Sequence, residues 1–180
     1  SPYDIGKLAG ETLCSIYHRQ FGVDTRIVRF FNVYGPGMSE HAYRVLPSFV
    51  RRVLNGEKLY VYGTGNQTRT FTFVTDAIVG MLLVMAKGRP GGTWNVGVQE
   101  PEVKIGAVAN LLEKIAMRDV EQFQIDYIAP PAEYAAEPMR RCPDISRLRA
   151  LGYTPTVGLE EGLSRFLDWA RDHYAPKESK

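Results

Sequence analysis

Cysteine is scarce in this sequence: Cys14 and Cys142 are the only two in 180 residues, and they stand far apart. Neither belongs to a CxxC pair and no histidine cluster accompanies them, which argues against a disulfide framework and a structural zinc site. A reducing, cytoplasmic setting is expected. Charge of one sign is equally scarce, since 22 Lys and Arg against 20 Asp and Glu leave a formal net charge of +2. No footprint for nucleic acid or a membrane surface results, so the expected partner is a small charged ligand. Long apolar runs are missing too. The longest, Ile78 to Ala86, is interrupted by Gly80 and falls short of the roughly 20 residues a spanning helix needs. The chain opens Ser1-Pro2-Tyr3 without a methionine or a signal-peptide pattern, which reads as the middle of a longer protein.

What is present, 44% hydrophobic and 23% charged residues without repeats or low-complexity stretches, suits one folded unit with a core. Segments of helical period alternate with short β-rich runs, the α/β pattern. Helices are expected over about Tyr3–Gln20, stopping at Gly22, and over Arg44–Leu54, Ala77–Lys87 with Asp76 as N-cap, and Lys104–Met117. Two more are expected, a short one over Asp144–Leu151 and a last one over Leu159–Tyr174. Strands are expected over Thr25–Phe31, read as buried, and over Leu59–Tyr62, Thr70–Val74, Thr93–Val96 and Gln122–Ile128. Gly63 to Thr68 reads as a polar loop, and residues 130–139 as an irregular connection; the tail after Pro176 is expected to fray.

Tyr3 and Lys7 stand four residues apart, so a helix presents both on one face. A phenol titrating near 10 is a poor base at neutral pH; a neighbouring ammonium favours the phenolate and makes the pair a candidate general acid/base. A plain helix-surface pair is the alternative.

Beyond that pair lie four ordered blocks: Arg29-Phe30-Phe31-Asn32-Val33-Tyr34-Gly35-Pro36-Gly37, Val61-Tyr62-Gly63-Thr64-Gly65-Asn66-Gln67-Thr68-Arg69-Thr70-Phe71, Trp94-Asn95-Val96-Gly97, and Arg140-Arg141-Cys142-Pro143-Asp144-Ile145-Ser146. In this order the sequence resembles the C-terminal half of the extended short-chain dehydrogenase/reductases, the NAD-dependent nucleotide-sugar epimerases, dehydratases and decarboxylases. The resemblance implies an α/β fold: the last part of a Rossmann-type parallel sheet (about 1–37 and 59–97) interleaved with a small substrate-binding subdomain (about 38–58 and 98–180).

It also implies roles. Tyr3 would be the catalytic base and Lys7 its partner, both touching NAD. Phe30 would line the nicotinamide side of the site, with plain strand core as the alternative. Asn32 would hydrogen-bond the substrate, against a structural role in the turn. Tyr62 would pack on the base, against a place in the core. Arg69, against a solvated loop position, and one of Arg140 and Arg141 would grip the diphosphate, which suits the planar guanidinium fork. No metal is implied.

A UDP-sugar substrate is favoured, handled through a transient keto-sugar, and a homodimer through the first helix is expected. Thr70 and Thr75 stand where many relatives carry acids, and residues 133–138 replace an Arg-Pro-Gly; these departures bear on sugar and base specificity. The dinucleotide fingerprint is missing: Gly63-Thr64-Gly65 lacks the third glycine and does not lead from strand to helix. The rival reading is therefore a non-catalytic nucleotide-sugar-binding or dimerisation module without its own NAD site.

Overall fold

Proline at the first helical position sacrifices no hydrogen bond, and Pro2 opens α1 (Pro2–Phe21). The helix stops where Gly22 turns left-handed at φ 67°, its N–H donating to the His18 carbonyl at 3.1 Å. The structure, a computed structural model, describes residues 2–116, 124–131 and 138–174. The ends of the expected helix at Met117 and strand at Gln122, most of the connection over 132–139, and the tail after Pro176 lie outside the described residues.

The remaining elements follow as β1 (Ile27–Phe30), β2 (Val33–Tyr34), α2 (Val45–Leu54), β3 (Leu59–Tyr62), β4 (Thr68–Arg69), β5 (Thr72–Phe73), α3 (Val74–Lys87), β6 (Thr93–Val96), β7 (Val103–Lys104), α4 (Ile105–Ala116), β8 (Ile125–Ile128), β9 (Arg140–Arg141), α5 (Ser146–Arg149) and α6 (Leu159–His173). Parallel pairing dominates: β1 with β6, β2 with β5, β3 with β8, and β4 with β9. Among the described strands only β7 runs antiparallel, on the other side of β4. The α/β class expected from the alternating periods is the class observed. No described helix is long and apolar enough to cross a membrane.

Two apolar clusters hold these elements. The larger joins α2, α4 and α6 to β3 and the β2–β5 pair, with Phe49, Val50, Leu112, Leu163 and Phe166 nearly free of solvent. The smaller gathers Ala77, Val84, Trp94, Val96, Ile145, Leu148 and Tyr153 around α3, β6 and α5. Thus β3 packs with the larger cluster and α5 with the smaller, each across the boundary drawn from the sequence.

Three local expectations are corrected. Thr25–Phe31 was expected as a buried strand, but β1 is shorter and leaves Phe30 49% exposed, because β6 is its only described neighbour. Thr68 and Arg69, expected at the end of a loop, form β4. Asp76 is not an N-cap: α3 starts at Val74, two residues earlier. Its carboxylate instead accepts the Thr156 hydroxyl at 2.9 Å and the backbone N–H groups of Thr156 and Val157 at 3.1 and 3.0 Å. A buried carboxylate needs such donors, and here they staple the segment before α6 onto the start of α3.

The first helix stands apart from both clusters. It has no buried residue, and Ile5, Leu8, Leu13 and Phe21 are 55–70% exposed. Its ties run to β1: Thr25 Oγ1 donates to the Cys14 carbonyl at 3.1 Å, and Arg29 forks onto Glu11 at 2.6 and 2.5 Å. Cys14 meets the residue before the strand and Glu11 the residue near its end, so helix and strand run in opposite directions. The Tyr3 end of α1 therefore lies toward the Asn32 end of β1.

Candidate functional site

A cavity of about 980 Å³ opens between α2, β3, β4 and β9, within the size range of small-molecule sites. Strand alternation builds one wall. In β3, Leu59 and Val61 are fully buried while Tyr60 and Tyr62 face the cavity. The Arg52 guanidinium sits 4.3 Å from the Tyr60 ring centroid, within cation–π range, and reaches Glu57 at 3.1 Å. Past Tyr62 the chain turns through Gly63 and Gly65, both at positive φ. Gly65 is obligatory for a second reason: a Cβ there would come within 2.9 Å of Val61 and Tyr127 side-chain atoms.

The opposite wall comes from β4 and β9. Arg69 and Arg141 are register partners, so both fall on the same face, and both line the cavity. Arg69 is 6% exposed, and its Nη1 donates to the Thr68 carbonyl at 2.8 Å and the Met139 carbonyl at 3.4 Å. Arg141 is more exposed, and among the described residues no partner holds its guanidinium. Arg140, one residue away, points to the other face.

The N-terminus of α2 completes the enclosure. Its N-cap, Arg44, is extended at φ −136° and supplies no side-chain cap, so the end of the helix presents its dipole to the cavity. With Arg44, Arg51, Arg52, Arg69 and Arg141 in the walls, and Glu40 the sole acid among the described lining residues, the cavity favours an anion. The α2 arginines were not singled out from sequence. Their spacing, opposite Leu46, Phe49, Val50 and Val53, is the signal that exposes them.

Asn32 lies at the cavity in a left-handed turn, φ 43°. Its Nδ2 donates to the Thr70 carbonyl at 2.7 Å and its own carbonyl accepts the Thr72 N–H at 3.1 Å. The structural role weighed from sequence is thus present, in a residue that also lines the cavity.

Tyr3, Lys7 and Phe30 are not among the lining residues. Tyr3 is 64% exposed, with the Lys7 ammonium 5.3 Å from its ring centroid, so helical spacing does pair the two on an open face. Toward the nicotinamide end of NAD these residues offer a phenol, an ammonium and an exposed aromatic ring. The rest of a dinucleotide needs a strand–turn–helix cradle, and Gly63–Gly65 instead links β3 to β4. Among the described residues no group of His, Cys, Asp and Glu could hold a metal ion.

A parallel α/β fold with an arginine-walled cavity beside strand ends places the chain in a class, the α/β proteins whose sites lie at strand ends. Within it, the chain belongs to the NAD dependent epimerase/dehydratase family, whose model matches residues 1–97. It is 37% identical over 177 residues to UDP-glucuronic acid decarboxylase 1 of Xenopus tropicalis, covering 98% of this chain and 39% of that protein. Among solved structures it is similar to UDP-glucuronic acid 4-epimerase from Bacillus cereus, in complex with UDP-glucuronic acid and NAD. There the identity is 31% and the TM-score 0.85, covering 97% of this chain and 54% of the other. A dTDP-glucose 4,6-dehydratase from Streptomyces venezuelae with NAD bound is 30% identical with a TM-score of 0.81, over 96% and 52%. The chain thus spans about half the length of the proteins it matches, or less.

Proposed function

We propose that this chain is the catalytic and substrate-binding half of an NAD-dependent nucleotide-sugar epimerase, dehydratase or decarboxylase, with a UDP-sugar as substrate. The observation that carries the proposal is the cavity that sets Arg69 and Arg141 on one wall and Tyr60 and Tyr62 on another. Two guanidinium forks match the oxygens of a diphosphate, and the tyrosines offer a flat surface to a pyrimidine. Asn32 offers its amide carbonyl to a sugar hydroxyl. The larger apolar cluster supports this nucleotide-sugar side, and the smaller one the sheet along which NAD would lie.

Tyr3 takes a proton from a sugar hydroxyl, and Lys7 favours the phenolate that accepts it. Phe30, at the exposed end of β1, borders the ring that reacts. When bound, NAD would supply the hydride acceptor and donor for a transient keto-sugar. Decarboxylation is favoured among the three outcomes because UDP-glucuronic acid decarboxylases recur among the relatives.

Titration of the chain with UDP tests the cavity. Binding is expected for the parent and at least about tenfold weaker binding for Arg69→Gln, the loss of one charged hydrogen-bonding partner. No UDP binding by the parent refutes the proposal. In the full-length enzyme, Tyr3→Phe is expected to lower turnover by about 10²–10⁴-fold, the usual worth of a positioned acid/base.

A specific observation favours a second reading: Tyr3 and Lys7 lie outside the cavity lining, and no dinucleotide cradle exists among the described residues. In that reading the chain is a nucleotide-sugar-binding or dimerisation module. UDP binding with no effect of Tyr3→Phe on full-length turnover would favour it.

A further inference from the structure

The adjacent arginines of β9 have opposite surroundings, and the difference traces to Glu102. Its Oε1 accepts the Thr68 hydroxyl at 2.5 Å and the Arg140 Nε at 3.0 Å, while its Oε2 accepts Arg140 Nε and Nη2 at 3.0 and 2.8 Å. Thr68 belongs to β4 and Arg140 to β9, and the two are register partners. One carboxylate, delivered by the segment leading into β7, therefore bridges the two strands on the face away from the cavity. On the cavity face the next register pair is Arg69 with Arg141.

We propose that Glu102 is a positioning residue: by clamping Thr68 to Arg140 it fixes the β4–β9 register that aims Arg69 and Arg141 together at one diphosphate. This rests on the reading of the cavity as a nucleotide diphosphate site. β4 and β9 are two residues long, so their ladder alone pins the register weakly. A bidentate charge-assisted contact adds the geometric constraint the short ladder lacks. It also claims Arg140, keeping one guanidinium of the pair outside the cavity and leaving Arg141 to the ligand. Arg69 is braced independently of Glu102, through the Thr68 and Met139 carbonyls, but Met139 itself lies on the β9 side. Loosening the clamp therefore disturbs both arginines, Arg141 first.

The test compares UDP with uridine on the 180-residue chain, because uridine carries the base and ribose but no phosphate for the arginines. Glu102→Gln keeps the shape and removes the charge. It is expected to weaken UDP binding about tenfold and leave uridine binding unchanged, the fold-change that loss of a hydrogen bond to a charged group gives. Arg140→Gln, a change at an exposed side chain, is expected to do the same. In an Arg141→Gln background the Glu102→Gln effect on UDP should largely vanish, since the arginine through which it acts is gone. Unchanged UDP affinity in both single variants overturns the proposal. So does equal weakening of UDP and uridine, or an undiminished effect in the Arg141→Gln background, because each describes a general loss of structure. If the parent chain does not bind UDP, the reading of the cavity falls and the positioning role falls with it; UDP binding that ignores Glu102 removes the positioning role alone.

Discussion

At the residue scale, the buried polar groups decide what is structural and what is available to a ligand. Thr70 is fully buried, and its hydroxyl has no hydrogen-bond partner among the described residues, while its carbonyl serves Asn32. An unsatisfied buried hydroxyl costs desolvation without return, so removing it should not hurt. Thr70→Val, the same shape without the polar atom, is expected to keep or slightly raise the thermal midpoint measured by circular dichroism. A drop of several degrees would show that the hydroxyl has a partner. The same reasoning separates residues that sequence reveals from residues it hides. Arg69 and Tyr62 were legible because they sit in ordered blocks around a glycine-rich turn. Glu102 was not, because its two partners lie 34 and 38 residues away and no local pattern connects them. Arg140 and Arg141 could not be told apart until strand parity and the Glu102 contact assigned each a face.

At the element scale, the helices and the longer strands were legible because their periodicity is a local property, and β3 and β6 fall where the alternation predicts. The failures are elements whose definition is not local. β4 is two residues long and exists because β7 and β9 flank it, and Asp76 sits in a first turn where donors from residues 156 and 157 outcompete a capping role. Close approaches between elements are similarly invisible. In α6, a Cβ at Gly162 would fall 2.1 Å from the Tyr34 hydroxyl and 3.0 Å from Phe73 Cδ2, both nearly solvent-free. Overpacking of this kind costs about 1–3 kcal/mol, so Gly162→Ala is expected to lower the denaturant midpoint clearly despite the better helix propensity of alanine.

The contact between α1 and β1 makes a second prediction at this scale. The Arg29 guanidinium holds the Glu11 carboxyl below its usual range, against a smaller opposing effect of burial. A depressed folded value means the contribution is present above the unfolded value and lost as pH falls through the folded one. The parent should therefore lose more stability than Glu11→Gln between neutral pH and pH of about 3, since glutamine has no such proton to gain. Parallel acid curves for the two proteins would show that the pair contributes nothing.

At the scale of the whole molecule, two features remain after the cores and the cavity are accounted for. The first is a set of buried phenols. Burial pushes Tyr153 up to about 12, with the Asp76 carboxylate adding to it, and pushes Tyr174 up to about 12, with Glu40 adding. Tyr34 is raised further, again chiefly by burial. An unfolded tyrosine ionises near 10, so above that pH the unfolded chain sheds protons the folded chain retains, and stability falls as pH rises from about 10 to 12. Tyr153→Phe, whose parent hydroxyl is buried without a partner among the described residues, should soften that fall while leaving neutral-pH stability nearly unchanged.

The second feature is apolar surface left outside both clusters. α1 exposes Ile5, Leu8, Leu13, Tyr17 and Phe21, and α3 exposes Ile78, Val79, Leu82 and Met85, at 46–70%. α3 buries Ala77, Gly80 and Val84 but leaves most of its large apolar residues outward, the reverse of what a lone surface helix does. Apolar residues concentrated along two helices exceed the scatter normal for a monomer and mark an interaction surface. The homodimer through α1 expected from the sequence would cover that helix, and a symmetric pairing would set the same face of each copy against the other. Light scattering should then report twice the 20.2 kDa chain mass at high concentration, and the thermal midpoint should rise with concentration. Leu8→Lys together with Leu13→Lys should return the chain to monomer mass without weakening UDP binding, because the cavity shares no residue with α1. A monomer mass at every concentration tested would leave these helix faces to a different partner.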